Sequence, residues 1–202
     1  MAWQPHFYGE GHTFDMVLIP EGIKRGCRWE AFSPIPYKDK HKSGFKWAVA
    51  FGHVFGGQND PIIISDDGKE FEYKGQLRRE LTREEGMEIF LADMESKMSF
   101  LRKKIKVPVT THMFNALGLL VLNTGEGNFE AGPVLPLLNI ERYVGASAAF
   151  MHHNKSWQPM KDENGFIVLD DTGKPKLALQ QDNGLTVRRA TEIDLFSTRI
   201  DK

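Results

Sequence analysis

The chain has 202 residues, with 26 Lys and Arg against 27 Asp and Glu, a formal charge of −1 and 41% apolar residues. That is the balance of a folded protein with one well-buried core, short for two full domains; it supplies no global field for nucleic acid or an anionic membrane, which leaves only a local basic patch open. Cys27 is the only cysteine, which excludes an internal disulfide framework. The longest apolar runs, such as Met113 to Leu122, fall far short of a membrane span, and the N-terminus lacks the charged-then-apolar form of a signal peptide. The expectation is a protein made in a host cytoplasm, so that a substrate beyond the membrane requires separate delivery.

Residues 1–19 are rich in aromatics and glycine without clear periodicity and are expected to be an arm packed on a single domain spanning 20–202. Pro20 is well placed as the first residue of a short helix, because its missing amide proton costs nothing in a first turn. That helix runs toward Trp29 and leaves Glu30 near its end, with Pro34 and Pro36 preventing continuation. From Tyr37 to Phe51 aromatic and branched residues alternate with small or polar ones, which predicts short β-strands, and Ile62 to Ile64 predicts a third. Thr82 and Glu85 form a T-x-x-E capping box, and Met87, Phe90, Leu91, Met94, Met98, Leu101 and Ile105 recur every three or four residues, so one long amphipathic helix is expected to connect two lobes. Thr111 to Leu122 is apolar nearly all round, as a central buried helix should be, with Gly125 and Gly127 ending it. Short helices are predicted over Pro133 to Asn139 and Glu141 to Met151. The insertion 156–181 reads as a hairpin turning at Asp171, Thr172 and Gly173, and a last helix follows Gly184.

Hydrolysis of a glycosidic bond needs a protonated acid beside the leaving oxygen and usually a second carboxylate to assist water or steady the developing cation. Glu30 and Asp39 suit these roles: a buried setting favours the neutral acid and a wetter one the carboxylate. With 27 acidic residues in the chain, a pair nine apart is expected by chance, so the spacing alone is weak. His53 reads most simply as a hydrogen-bonded structural residue, and Arg188, Arg189 and Glu192 as helix salt links. His152 and His153 make a poor metal site, and no H-E-x-x-H, P-loop or G-x-S-x-G pattern occurs. Asn123 is the better candidate for a functional polar group at a buried helix end.

Around these residues the string W-E-A-F-S-P-I-P-Y-K-D resembles the opening motif of the phage-type lysozymes, glycoside hydrolase family 24, in which the acid and the aspartate are nine apart with a tyrosine two before the latter. Glu21-Gly22 looks superficially like the family's E-G dipeptide but lies too far from Tyr37. W-A-V-A-F-G-H, P-V-T-T-H-M-F-N-A-L, L-N-T-G-E-G-N-F, V-L-P-L-L-N and G-L-T-V-R-R-A-T-E-I-D-L-F are similar to five further family segments, in order. The resemblance implies an α+β lysozyme-like fold, a small β-sheet lobe and a helical lobe joined by a long helix, with a substrate cleft between. It implies a lysozyme or muramidase of the endolysin type, cutting the β-1,4 bond between N-acetylmuramic acid and N-acetylglucosamine. Glu30 and Asp39 would be catalytic, and Gly52, His53, Val54, Leu122 and Asn123 would bind substrate.

No metal or organic cofactor is implied. The implied partners are peptidoglycan glycan strands, with a phage virion or lysis protein as a further candidate and a monomer as the state; the enzyme would act at the cell wall after release or be carried in the virion. One departure matters: Ala48 stands where the family has a threonine that orients the attacking water, and Ala50 where it has glycine. The loop of His41, Lys42 and Ser43 is three residues longer than usual, with Ser43 as a substitute hydroxyl. Two rivals follow: a lytic transglycosylase giving anhydro ends, and a degenerate peptidoglycan-binding virion protein.

Overall fold

The computed structural model describes residues 16–41, 44–56, 60 and 62–198; the arm's first fifteen residues and the Lys42–Ser43 pair lie outside them. The chain divides into two compact units, Val17–Phe100 and a second made of the chain's start to Met16 with Leu101–Lys202.

In the first unit, α1 (Pro20–Trp29) begins on Pro20 and ends with Glu30 as its C-cap, whose backbone N–H donates to the Gly26 carbonyl at 3.0 Å. Pro34 and Pro36 then suit only extended backbone. β1 (Ser33–His41) pairs antiparallel with β2 (Gly44–Ala50), which pairs with the two-residue β3 (His53–Val54). A second sheet follows, β4 (Ile62–Ile64), β5 (Phe71–Tyr73) and β6 (Gln76–Arg78), in that order. The sequence indicates β4 but neither β5 nor β6. The core of this unit gathers Val49, Ala50, Ile62, Phe71, Tyr73, Leu81 and Ile89.

α2 (Arg83–Lys104) starts in the β-rich unit and ends in the helical one. Its capping box is reciprocal: the Thr82 N–H donates to Glu85 Oε2 at 2.8 Å and the Glu85 N–H to Thr82 Oγ1 at 3.2 Å. Glu85 also accepts a bidentate bond from Arg78, at 2.9 and 3.0 Å, which ties β6 to the start of the helix. The expected stripe is buried at Phe90, Met94, Met98, Leu101 and Ile105, while Leu91 is partly exposed.

The helical unit is built on α3 (Thr111–Thr124), buried from Met113 to Val121 and capped by Thr110, whose hydroxyl accepts from the Met113 N–H. It packs on α7 (Asn183–Phe196). Gly125 ends α3 with a φ of 81°, but Gly127 lies within α4 (Glu126–Ala131), because a single left-handed glycine is enough to redirect the chain. α5 (Val134–Leu138), α6 (Tyr143–Ala149) and a short 3-10 helix (Phe150–His153) follow. β7 (Lys155–Pro159) and β8 (Leu177–Gln181) then form an antiparallel pair. The Asp171–Gly173 turn exists, but it closes only the Leu169–Pro175 bridge; the longer pairing uses strands farther from the turn.

Ala50 adopts a φ of 56° while fully buried. Left-handed backbone costs an L-residue about 1–2 kcal/mol, and removing one buried methyl costs roughly the same. Ala50→Gly is therefore expected to leave stability within about 0.5 kcal/mol of wild type, whereas Ala50→Val, β-branched at positive φ, should lose more than about 2 kcal/mol. Urea unfolding of both variants checks this, and a Gly variant as damaged as the Val variant would show that the methyl, not the backbone, governs the position.

Candidate active site

Glu30 leaves the last turn of α1 half-buried, just before the prolines turn the chain into β1. In β1 the period of two puts Tyr37 and Asp39 on one face. Their partners in β2 are Ala48, opposite Tyr37, and Lys46, opposite Asp39. Burial raises the Tyr37 phenol above its usual range, and the negative charges of Asp39 and then Glu30 push it further in the same direction. Tyr37 thus lies within the fields of both candidate carboxylates. Asp39 itself is exposed, and Ala48 is completely buried.

The chain between β2 and β3 turns at Ala50, Phe51 and Gly52. Phe51 is the buried pivot, with ring centroids 5.3 Å from Phe32 and 5.7 Å from Phe90, and the Arg83 guanidinium lies over the Phe32 and Phe51 rings. Gly52 has a φ of 79°, and a Cβ there would lie 3.1 Å from Glu30 Oε2. Only glycine both accepts this backbone and lets the carboxylate approach so closely.

His53, the next residue, points to two other carboxylates. Its Nδ1 is 3.0 and 3.1 Å from the two oxygens of Asp93 on α2, and its Nε2 is 3.1 Å from Asp60. Asp60 also accepts from the backbone N–H groups of Gly56 and Ile62. Burial works against a charge on His53, but the bonds and charges of Asp93 and Asp60 outweigh it and hold the imidazole above its usual range. Both ring nitrogens are thus engaged inside the protein. Val54 pairs with Ala48 in the sheet and is half-buried.

Leu122 and Asn123 belong to the last turn of α3 in the helical unit. Leu122 is half-buried, and Asn123 is exposed rather than at a buried end. Its Oδ1 accepts from Arg189 Nη2 at 2.7 Å. Arg189 is fully buried and also lies 3.2 Å from Glu192, which Arg188 reaches at 3.1 Å. The expected helix links at Arg188, Arg189 and Glu192 are thus a buried cluster, and one arm of it fixes the orientation of the Asn123 amide. His153 is beside this cluster, and burial first, then the Arg189 and His152 charges, lower its pKa.

Of the residues singled out in the sequence, the structure sets Gly52 against Glu30 and keeps Asp39, His53 and Val54 in the same unit, and places Leu122 and Asn123 in the other. Glu21 is engaged elsewhere, with Arg25 at 2.7 Å. Ser43 lies outside the described residues. Sequence reasoning missed Asp60, Asp93 and the Arg189–Asn123 bond; nothing in their local strings marks them, because each acts on a partner 7 to 66 residues away. Among the described residues no group of three or more His, Cys, Asp or Glu side chains is arranged to hold a metal ion.

The phage lysozyme family model matches residues 27–192. The endolysin of Acyrthosiphon pisum secondary endosymbiont phage 1 is 34% identical over 111 residues, which cover 55% of this chain and 64% of that protein, so the match spans slightly less than two thirds of the relative. The endolysin from Escherichia coli O157:H7 phage FAHEc1 superposes with a TM-score of 0.62 at 23% identity, over 93% of this chain and 98% of that one. The muramidase domain of SpmX from Asticaccaulis excentricus gives 0.62 at 19% identity, over 89% and 97%. At these identities the two solved structures speak for the fold, which is α+β and lysozyme-like. The family match covers most of the chain, and the protein belongs to the phage lysozyme family.

The His53 clamp has a definite pH signature. A histidine held above its unfolded pKa of about 6.5 contributes stability that is fully present below that value and is lost as pH rises through the folded one. Asp93→Asn should lower the His53 titration midpoint measured by NMR. The stability gap between wild type and variant should be widest on the acid side of the histidine range and narrow toward alkaline pH. A gap of constant size would mean that Asp93 acts through hydrogen-bond geometry alone.

Proposed function

We propose that this protein cleaves the glycan strand of peptidoglycan by hydrolysing the β-1,4 bond between N-acetylmuramic acid and N-acetylglucosamine, as an endolysin-type muramidase acting at the cell wall. The observation that carries this reading is the half-buried Glu30 carboxylate lying against the bare Cα of Gly52 in the β2–β3 turn; Asp39, nine residues on, is exposed in β1 on the face of Tyr37, whose phenol is held up by burial and then by the charges of both carboxylates. Glu30 is the general acid: it leaves a helix end in a half-buried position and faces the one residue of the turn without a side chain, Gly52, so a leaving oxygen can approach it. Asp39, exposed on the strand, is the group that assists water or steadies positive charge on the sugar. Family membership and the endolysin relatives support the substrate class.

One observation favours a second reading. Ala48 is buried opposite Tyr37, on the face that carries Asp39, and offers no hydroxyl to hold a water. An acid with no positioned water can instead promote attack by the muramic acid's own hydroxyl, which gives an anhydro end, as in lytic transglycosylases. Asp39, retained at the family spacing, favours hydrolysis.

Glu30→Gln is expected to reduce cleavage of purified peptidoglycan by about two to four orders of magnitude, because the amide supplies no proton. Glu21→Gln should leave the rate near wild type; the reverse pattern would move the acid assignment to Glu21. Gly52→Ala, whose methyl would press on Glu30, should cost about tenfold or more through misplacement of the acid while leaving the far-UV circular dichroism unchanged. Ala48→Thr supplies a hydroxyl on the Asp39 face and should raise the hydrolytic rate modestly. Mass spectrometry of the fragments decides between the readings: reducing ends from wild type support the hydrolase, and products lacking one water sink it.

A further inference from the structure

A cavity of about 650 Å³ opens between the two sheets of the β-rich unit, walled by Phe45 and Trp47 of β2, by Phe55 just after β3 and by Ile62 to Ile64 of β4. β2 is longer than the strand that covers it. β3 pairs only with Ala48 and Val49, and the Phe55 N–H adds one bond to the Trp47 carbonyl at 3.1 Å. That bond fixes the direction of the backbone: Trp47, and by alternation Phe45, turn their N–H and C=O groups away from β1. Past the end of β3, no group among the described residues bonds the Phe45 N–H or C=O. β4 is likewise the outer strand of its sheet. The Ser65 N–H donates to the Glu70 carbonyl on the β5 side, so Ile64, one residue earlier, turns its backbone groups outward. Two strand edges thus border one apolar cavity with donors and acceptors directed out of their sheets.

The gap is pinned rather than closed. The Trp47 ring rests on the bare Cα of Gly68 in the turn between β4 and β5, where any side chain would collide with it. Asp60 accepts from the Gly56 and Ile62 N–H groups at 2.9 and 2.8 Å, which fixes the start of β4. The free edge of β2 also has a definite charge. The Lys38 ammonium lies 4.4 Å from the Phe45 ring centroid and 5.3 Å from that of Trp47, and Lys46 is part of the cavity lining. Both lysines are exposed, and neither has a carboxylate partner among the described residues. Asp60, the one carboxylate among the described lining residues, is already held by His53 and by those two amides.

We propose that this cavity receives an extended segment of another protein, in which acidic and apolar residues alternate, as an added strand on the β2 edge at Phe45. Extended backbone is the ligand that presents donors and acceptors at the spacing of a strand edge. The period of two then assigns its side chains. Those beside Phe45 and Trp47 meet aromatic rings and the isoleucines of β4, and those beside Lys46, on the other face, meet a cation, where an opposite charge across the strands is favourable. A second copy of the chain fits less well, since antiparallel pairing of two β2 edges centred on the free stretch sets Lys46 against Lys46. The docking is independent of the chemistry at Glu30.

The test is an NMR titration of the isotope-labelled full chain with a synthetic peptide of three Val-Glu repeats, blocked at both ends. The Phe45 and Ile64 amide resonances are expected to shift, and hydrogen exchange at the Phe45 amide to slow. A peptide of Val-Lys repeats should bind about tenfold or more weakly, and Lys38→Glu with Lys46→Glu should reverse that preference. Two analogues of the first peptide, N-methylated on the valines or on the glutamates, remove the donors of one edge each. At least one of them should bind about tenfold or more weakly. Phe45→Pro, which removes the edge donor without breaking a bond to β1, should weaken binding to a similar degree. If that variant fails to fold, the methylated peptides make the same test on the wild-type chain. No shift at these amides with peptide at about 1 mM, the weak end of specific binding, overturns the proposal. Binding of both methylated analogues as tightly as the parent overturns it too, because the apolar walls and not the strand edge would then hold the peptide. A wild-type dimer in light scattering that Phe45→Pro breaks also overturns it and gives the edge to a second copy.

Discussion

His53 held between Asp93 and Asp60 is the contact on which the β-rich unit turns. Three pieces of chain with no covalent reason to meet, the end of the β2–β3 turn, the middle of α2 and the segment before β4, come together through one imidazole ring. The turn fixed this way contains Ala50 and Gly52, both at positive φ, and Gly52 is the surface on which Glu30 rests. A charge-assisted bond inside a half-buried site is stronger than one on the surface, so the position of the Glu30 carboxylate depends on a residue that does not itself face it.

The helical unit solves a similar problem at greater electrostatic cost. Arg188, Arg189 and Glu192 are buried together on α7. Burying charge is costly unless partners are close, and here Glu192 is shared by both arginines while Arg189 reaches the end of α3 through Asn123. What the cluster gains is registry between the two helices that form the centre of the unit. Substituting apolar residues would keep the burial and lose the directed bond to Asn123.

How much of this was legible depended on the range of the interaction. Pro20, the Thr82–Glu85 box and the Met and Leu spacing of α2 are local rules, and each element begins or packs where its residues indicate. Glu30 and Asp39 stand out as candidates only through the string that contains them, and the face shared by Tyr37, Asp39 and Ala48 follows from strand alternation. β5 and β6 escaped notice because each is three residues long and their turn, Lys74-Gly75, carries a weaker signal than Asn-Gly, although both its residues have the positive φ that such a turn requires. The Phe71-Glu72-Tyr73 alternation was the available clue. Asp60 and Asp93 carried none: an aspartate on a helix or in a loop reads as a solvated charge until the fold brings a histidine to it.

The double use of Glu85 bears on the order in which the chain can assemble. Its bonds to Thr82 and Arg78 close loops of three and seven residues, and Tyr73 reaches Glu88 across fifteen. Loops this short surrender little chain entropy when they close, so the corner made of β5, β6 and the first turns of α2 is stabilised by contacts available early in folding. The bond from His53 to Asp93 spans forty residues and so costs more chain entropy to close. The capping box thus does more than start a helix: it sets the foundation against which the later sheet, and with it the carboxylates, can be aligned.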